Sequence, residues 1–503
     1  MTTKPAHTQS PKAFFGHLID LANAYPDALA LCSDSGMTSL SDLIGNVVSA
    51  AKVLRKKNVR GRRTVCLCCN NPDLNFVLAL SLMINGCRVG YSKDISIYKA
   101  TGVKIDLFLT DKSGKVDDLP TMAVSQEWFQ PKKPIATLGL PIAQDFSAIF
   151  TSSGSTGRPK LIEFSARAIL HRIGTKGQDA YFPSQKRFLL SAGRSSLSVF
   201  VDTMVAVAAG GVLINTPANS SPAVIAAIQR YCPSYVLIAP ALLAEVIDDL
   251  KTRPIRTRVP VARVTGAFCP PALVKDAVEV LIDEIVTSYG ATEVARIAWK
   301  SSTENVAEER CVGKVIDGVE AAAFTDDNVQ LPAGQEGLIR ARVAPEIVGR
   351  YIGKDAGNGS ALIDGWFPTG DIGRVSDDGY LTILGRSSVV INYGGNKLHP
   401  GFLEQALLGI DGVSAAAVVG VEAPDGFPRI CAAIVSDREI GLDAANWHLI
   451  KTEFEFPVHV LKHVETFPKL VSGKVDISAI REMFSQDVDV PMIVTVSENT
   501  APD

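Results

Sequence analysis

Between residues 145 and 300 short apolar strands alternate with helical patterns, and this alternation leaves few folds open to the chain. Residues 187–191 read as a strand and 197–209 as a helix that Gly210-Gly211 ends. Residues 212–214 read as the next strand, and Ser220-Ser221-Pro222 as a capped helix start with proline in its first turn. Strands at 235–238, 261–265 and 284–287 alternate with helices at 241–250 and 272–281. Repeated strand–helix units build a mostly parallel sheet covered on both faces. Ligands of such sheets bind beyond the carboxyl ends of the strands. Residues 64–93 give a similar strand–helix–strand reading. From 313 to 385 glycines, prolines and short alternating runs suggest β-structure with tight turns, including Asp377-Asp378-Gly379 as a hairpin turn. Beyond Arg386, a helix at 402–408 and strands at 415–421 and 430–435 form a small α+β unit. We place the domain boundary at Ser387-Ser388, giving a large domain over 1–386 and a small one over 387–503.

The apolar run Ser147-Ala148-Ile149-Phe150 empties into Thr151-Ser152-Ser153-Gly154-Ser155-Thr156-Gly157-Arg158-Pro159-Lys160. Glycine lets the backbone come close to an anion because no Cβ intervenes. Successive N–H groups then form an anion nest, and hydroxyls and an ammonium add donors. This composition suits phosphate. The Gly-x-x-Gly-x-x-Lys spacing differs from the Walker pattern, so an ordinary P-loop nucleotidase is disfavoured. A flexible Ser/Gly linker is the alternative reading of the loop alone.

Composition narrows the classes. A hydrophobic fraction of 47% with 20% charged residues is globular. A net charge of −3 gives no electrostatic case for nucleic acid or an anionic membrane as the main partner. No apolar run reaches the roughly 18 residues of a membrane span, and residues 1–12 are too polar for a signal peptide. Nine cysteines suit a reducing, cytoplasmic setting, with Cys66, Cys68 and Cys69, which lie in an apolar run, acting as small hydrophobes. The seven histidines show no metal-ligand spacing; His459 and His463 lack the accompanying acid of a helical H-E-x-x-H site and read as structural.

Four further segments concentrate chemistry. Ser288-Tyr289-Gly290-Ala291-Thr292-Glu293 puts an aromatic ring, a hydroxyl and a carboxylate on one turn. Gly365-Trp366-Phe367-Pro368-Thr369-Gly370-Asp371 ends in an acid after a glycine turn. Tyr380-Leu381-Thr382-Ile383-Leu384-Gly385-Arg386 sets an arginine beside the boundary, and Pro468-Lys469-Leu470-Val471-Ser472-Gly473-Lys474 presents a lysine on a turn. Singly, Glu293 reads as a helix-start carboxylate, Asp371 as a turn acid, and Arg386 and Lys474 as surface charges. Together with the glycine-rich loop, and in this order, they resemble the adenylate-forming superfamily of acyl- and aryl-CoA synthetases, peptide-synthetase adenylation domains and luciferases.

The resemblance implies an α/β fold: a large N-terminal domain of doubly wound, mostly parallel sheets with a β-rich subdomain, and a small mobile α+β C-terminal domain. It also implies a two-step reaction with ATP and Mg²⁺, in which an acyl-adenylate forms and a thiol such as CoA, or another nucleophile, then displaces AMP. Residues Thr151 to Gly157 and Lys160 would hold the β- and γ-phosphates. Adenine would lie between Tyr289-Gly290-Ala291 and Gly266-Ala267-Phe268. Thr292 would contact the α-phosphate and Glu293 would hold Mg²⁺. Asp371, assisted by Arg386, would bind the ribose hydroxyls. Lys474 would bridge the carboxylate and α-phosphate, and Gly394-Gly395 would close over a pantetheine arm. Departures cluster on the face used in the second step. Ser387-Ser388 stand where a charged pair is usual, Asn392 where lysine is usual, Phe402 where an acid is usual, and Leu161 where glycine is common. Ser198 falls near the aspartate that amino-acid-activating members use, so an α-amino acid is disfavoured. Arg194 is either a contact to a polar group on the acid or a surface residue. The expectation is an AMP-forming acid–thiol ligase with a small-molecule carboxylic acid and CoA as partners. A carrier protein or an amine as acceptor is one alternative, and a catalytically silent nucleotide- or acyl-binding relative is the other.

Overall fold

The computed structural model describes all residues except 1–8, 34–35, 92–94, 113–119, 131–133, 136–139, 153–159, 178–185, 192–195, 217–219, 305, 307, 309, 355–361, 388–390, 394–395, 399, 425–427, 452–456, 470–474 and 491–503. Contacts divide the chain into two compact units. The first comprises Met1–Glu309, Gly313–Glu320 and Ala341–Phe367; the second comprises Arg310–Val312, Ala321–Arg340 and Pro368–Asp503.

The first unit holds two sheets. In one, Thr121–Ala123, Leu107–Thr110, Thr64–Leu67, Arg88–Gly90 and Ser147–Ser152 run parallel. Lys160–Ser165 and Arg350–Tyr351 add antiparallel edges. In the other, Leu29–Ser33, Val212–Ile214, Arg187–Ser191, Tyr235–Ile238, Val259–Thr265 and Ile282–Ala291 are parallel neighbours. The antiparallel strands Ala295–Ser301 and Cys311–Val315 follow. This is the doubly wound α/β arrangement that strand–helix alternation dictates.

One core cluster draws on both sheets. Val65 and Leu109 of the first sheet and Phe188, Leu213 and Leu237 of the second join the helices Leu40–Lys56, Pro72–Ile84 and Leu197–Ala208. Pro72–Ile84 and Leu197–Ala208 bury nearly every side chain, as helices flanked by apolar surface on several sides must. Asn71 caps the first, its side chain accepting from Asp73 and Leu74 N–H groups. Gly210, at φ +70°, ends the second. The N–H groups of Gly210 and Gly211 return to Val207 and Ala206 carbonyls, which closes the helix as the Gly-Gly pair predicts. Val224, Ile228, Val246, Ile247 and Ala277 cover the opposite face of the second sheet.

The second unit contains the β-rich strands Glu320–Phe324, Gly337–Arg342, Phe367–Val375 and Tyr380–Arg386, neighbours in that order. Gly379 has φ +85° and its N–H bonds the Ser376 carbonyl, so Asp377-Asp378-Gly379 is the expected hairpin turn. A three-stranded sheet of Val413–Glu422, Pro428–Ser436 and Val460–His463 follows. Leu403, Leu407 and Leu449 pack on one face, and Ile480, Phe484 and Val488 on the other. His459 and His463 lie at this third strand, not on a helix, and each takes a backbone hydrogen bond: Ile430 N–H to His459 Nδ1 at 3.1 Å, Ile440 N–H to His463 Nε2 at 3.0 Å. Both are structural. The contact division differs in placement from a boundary at Ser387, because strands of the β-rich subdomain group with the C-terminal sheet. No described helix is long and apolar enough to cross a membrane. All nine cysteines are free, and burial pushes the Cys66 thiol up to about 12.

Glu163 locks the first sheet together. Its carboxylate accepts from Arg88 Nε, Ser147 Oγ and Arg350 Nη2, each at 2.7 Å. Burial raises its proton affinity, but the two guanidinium groups and the hydroxyl outweigh this and hold it at about 2, below its ordinary 4.5. A carboxylate depressed in this way stabilises the fold at every pH above its unfolded value, and the contribution fades as pH falls through the folded value. Glu163→Gln is therefore expected to lower stability at pH 7, with the wild-type advantage shrinking between pH 4.5 and 2. Urea titration of both proteins across pH checks this; a constant difference from pH 7 to pH 3 contradicts it.

Candidate nucleotide and acid-activating site

The site elements of the first unit converge on one corner. Strand Ser147–Ser152 leads into the glycine-rich loop, and Lys160–Ser165 returns antiparallel, with Ser152 opposite Lys160. Thr151, Ser152 and Lys160 thus sit at the base of the loop. Ser153, Gly154, Ser155, Thr156 and Gly157 lie outside the described residues. Lys160 Nζ stands 5.1 Å from the centre of the Tyr351 ring. The Tyr351 hydroxyl donates to Glu293 Oε1 at 2.8 Å. The phosphate-loop lysine and the expected metal carboxylate, far apart in sequence, share one aromatic neighbour.

Glu293 is 7% exposed, and the turn that carries it is fixed through its backbone. Gly349 N–H donates to the Glu293 carbonyl at 3.0 Å. Arg172, on helix Ala166–Gly177 directly after the loop's return strand, forks across the carbonyls of Thr292 (3.1 Å), Glu293 (2.9 Å) and Ile347 (3.3 Å). Its guanidinium stacks over Phe164, 4.6 Å from the ring centre. Burial pushes Arg172 down to about 9 against the pull of the Glu293 carboxylate, which leaves it charged at neutral pH.

Tyr289, Gly290 and Ala291 belong to strand Ile282–Ala291, not to a turn; the turn is Thr292-Glu293-Val294. Gly290 reads from sequence as a turn glycine, yet its role is close approach: a Cβ there would meet the Ala295 carbonyl oxygen at 2.2 Å. The ladder shifts register between Tyr289 and Gly290, a bulge that redirects the strand end. Thr265 pairs with Ser288, and its hydroxyl donates to the Ser288 carbonyl at 3.2 Å. Gly266-Ala267-Phe268 and Tyr289 consequently leave neighbouring strand ends. Phe268 is 39% exposed, and Gly266 has φ +98° with open space beside it.

In the second unit, Asp371 and Arg386 face one another across a ladder. Arg386 Nε bonds Asp371 Oδ1 at 2.8 Å, and Nη1 donates to the Thr369 carbonyl at 3.0 Å. Asp371 is 6% exposed; its N–H donates to Thr369 Oγ1, which in turn donates to the Ile339 carbonyl. Sequence had given Arg386 an assisting role; here it holds the buried carboxylate directly. Lys474, Gly394 and Gly395 lie outside the described residues. Lys469 and Val475, on either side of the Lys474 segment, form an antiparallel bridge, and Asp476 caps helix Ile477–Glu482.

Sequence reading missed Arg172 and Tyr351. Neither lies in a glycine-rich motif. The signal for Tyr351 was Gly349 and Gly353 on either side of it. A Cβ on Gly349 would meet Ile162 and Phe164 side chains at 2.5 Å, and one on Gly353 would meet the Thr101 carbonyl oxygen at 2.3 Å. Arg172→Met keeps the side-chain bulk and strands three carbonyls, so the thermal midpoint is expected to fall by about 4 °C or more. Calorimetry checks this; a midpoint within about 1 °C of the parent contradicts the role given to Arg172.

Residues 99–351, just over half of the chain, match the model of the AMP-binding enzyme family. A 2-succinylbenzoate–CoA ligase of Bacillus cereus is 23% identical over 420 residues, covering 80% of this chain and 85% of the relative. Among solved structures, the o-succinylbenzoate CoA synthetase of Bacillus subtilis in complex with AMP superposes with a TM-score of 0.77 at 19% identity, over 93% of this chain and 97% of that one. The amide bond synthetase McbA of Marinactinospora thermotolerans superposes with a TM-score of 0.79 at 20% identity, over 94% of this chain and 100% of that one. These likenesses share the fold described above, and the chain belongs to the family of AMP-binding enzymes.

Proposed function

We propose that this protein activates a carboxylic acid with ATP and transfers the acyl group to CoA. A carboxylate oxygen of the acid attacks the α-phosphorus, the bond from that phosphorus to the bridging oxygen breaks, and pyrophosphate leaves. The CoA thiol then loses its proton, its sulfur attacks the acyl carbonyl, and AMP departs with the electron pair of the mixed-anhydride bond. The observation that carries the reading is the corner where Lys160 and Glu293 meet at Tyr351. It brings an ammonium for phosphate and a hard oxygen donor within reach of one triphosphate.

Glu293 fits Mg²⁺. The ion takes one or two carboxylates and completes its shell with substrate phosphates and water, so it needs no dedicated protein cage. Among the described residues no group of three or more acids, histidines or cysteines is gathered as one. When bound, Mg²⁺ supplies charge neutralisation on the phosphates. The residues of the chain supply the rest. Lys160 and the loop hold the β- and γ-phosphates, Tyr289 and Phe268 sandwich adenine, and Asp371, fixed by Arg386, takes the ribose hydroxyls. Thr292 contacts the α-phosphate. Lys474, on the proposed mobile domain 387–503, offsets the charge built when two anions meet and withdraws before thiol transfer.

The acid is not an α-amino acid on this reading. The Ser198 hydroxyl accepts from the buried Arg263 guanidinium at 2.7 Å, and Arg263 pairs with Asp202 at 3.1 Å. With Ser198 in place of an acid and Asp202 already paired to Arg263, the position offers an ammonium little. The likeness to an amide bond synthetase, together with Asn392 and Ser388 on the acceptor face, supports an amine as the second choice of acceptor. Nine free cysteines suit a cytoplasmic protein.

Pyrophosphate release across a panel of aliphatic and aromatic acids, with and without CoA, tests the proposal. Acid-dependent release with a CoA thioester as product is expected. Release with amide formation and no thioester moves the acceptor to an amine. ATP binding with no release on any acid contradicts the enzyme reading. Lys474→Ala is expected to slow adenylation about 100-fold or more while sparing thioester formation from supplied acyl-adenylate; equal loss of both steps contradicts the role of Lys474.

A further inference from the structure

We propose that Tyr351 is a positioning residue that couples the metal carboxylate to the phosphate loop, so that ATP and Mg²⁺ tighten each other's binding through it. The inference rests on the adenylating reading above and extends it to a residue outside the nucleotide motifs. Three observations carry it. The hydroxyl donates to Glu293 Oε1 at 2.8 Å. The ring face lies under Lys160 Nζ at 5.1 Å, close enough for a cation–π attraction. The backbone around it is clamped. Arg350 pairs with Glu163 and Tyr351 with Ile162, the N–H of Ile352 donates to the Leu161 carbonyl, and Gly349 donates to Glu293 itself. Gly349 and Gly353 leave no room for side chains on either side, and Gly353 stands at φ +77°.

The chemistry of the donor matters. A phenol orients a carboxylate without cancelling its charge, whereas an ammonium or guanidinium on the same oxygen competes with a divalent cation. Arg172, the nearby cation, directs its hydrogen bonds to the carbonyls of Thr292, Glu293 and Ile347. Glu293 is thus held in a fixed orientation by a neutral donor. Partners that orient a ligand in this way typically contribute about 10- to 100-fold to metal affinity. The same ring restrains the lysine expected on the phosphates, so one side chain sets both halves of a Mg–triphosphate site.

Two variants separate the halves. Tyr351→Phe keeps the ring under Lys160 and removes only the hydroxyl. Tyr351→Leu removes both. ATP binding is measured calorimetrically on the full-length protein in EDTA and at increasing Mg²⁺, beside thermal unfolding of each variant. For Tyr351→Phe we expect unchanged affinity in EDTA and about a 10-fold rise in the Mg²⁺ needed for half-maximal tightening. For Tyr351→Leu we expect the same rise plus about a 3-fold weaker binding in EDTA. Tyr351→Phe with a Mg²⁺ requirement within 2-fold of the parent overturns the proposal. So does an equal loss with and without Mg²⁺, which marks a purely structural residue. A parent protein whose ATP binding ignores Mg²⁺ overturns the adenylating reading itself, and that result is visible before any variant is made.

Discussion

The architecture of the proposed site depends on one buried guanidinium. Arg172 sits on the helix that follows the phosphate loop's return strand, and its fork collects carbonyls from the Thr292-Glu293 turn and from the segment leading to Tyr351. Three pieces of chain from distant parts of the sequence are referred to a single planar group. Buried carbonyls must be paired, and a side chain with five fixed donors pairs several at once. The stacking of that group on Phe164 ties it back to the return strand. Everything expected of Lys160 and Glu293 presupposes that these pieces stay in register.

A second buried charge plays the same part in the other unit. Asp371 is placed by its ladder partner Arg386 and by Thr369, whose hydroxyl bonds both the Asp371 N–H and the Ile339 carbonyl. The two guanidinium groups differ in task. Arg172 organises backbone, whereas Arg386 holds a carboxylate directly. The first arrangement suits a cation ligand, the second a hydroxyl acceptor. A third pattern is the Ser198–Arg263–Asp202 cluster, where a buried guanidinium and carboxylate pair within the protein.

Much of this was legible in the sequence because it is local. Each strand and helix between 187 and 291 follows from apolar runs, proline starts and Gly210, and the hairpin at Gly379 follows from its turn residues. Where sequence reading stopped, the cause was distance along the chain. Strand Leu29–Ser33 pairs with Val212–Ile214, a partner no local pattern announces. Tyr351 and Arg172 carry no motif, since their value lies in what they touch. Gly290 misled in an instructive way: glycine marks turns most often, but here it marks a strand with the Ala295 carbonyl pressed against it. The ligand assignments came from ordered motifs, and the geometry then supplied what motifs lack, namely which side chains hold those candidate residues in place.

Of the residues proposed for adenylation, Lys160, Tyr289, Asp371 and Arg386 lie on strands and Glu293 on a turn, while Ser387, Ser388, Asn392 and Phe402 depart together from the resembled pattern on the C-terminal side. A crystal structure of the protein soaked with ATP and magnesium tests the central claim most directly. The account predicts a metal about 2.1 Å from a Glu293 carboxylate oxygen, bridging phosphates that also contact Lys160, with adenine between Tyr289 and Phe268. Nucleotide bound away from the Lys160–Tyr351–Glu293 corner, or a metal held by phosphates alone with Glu293 turned from it, contradicts it.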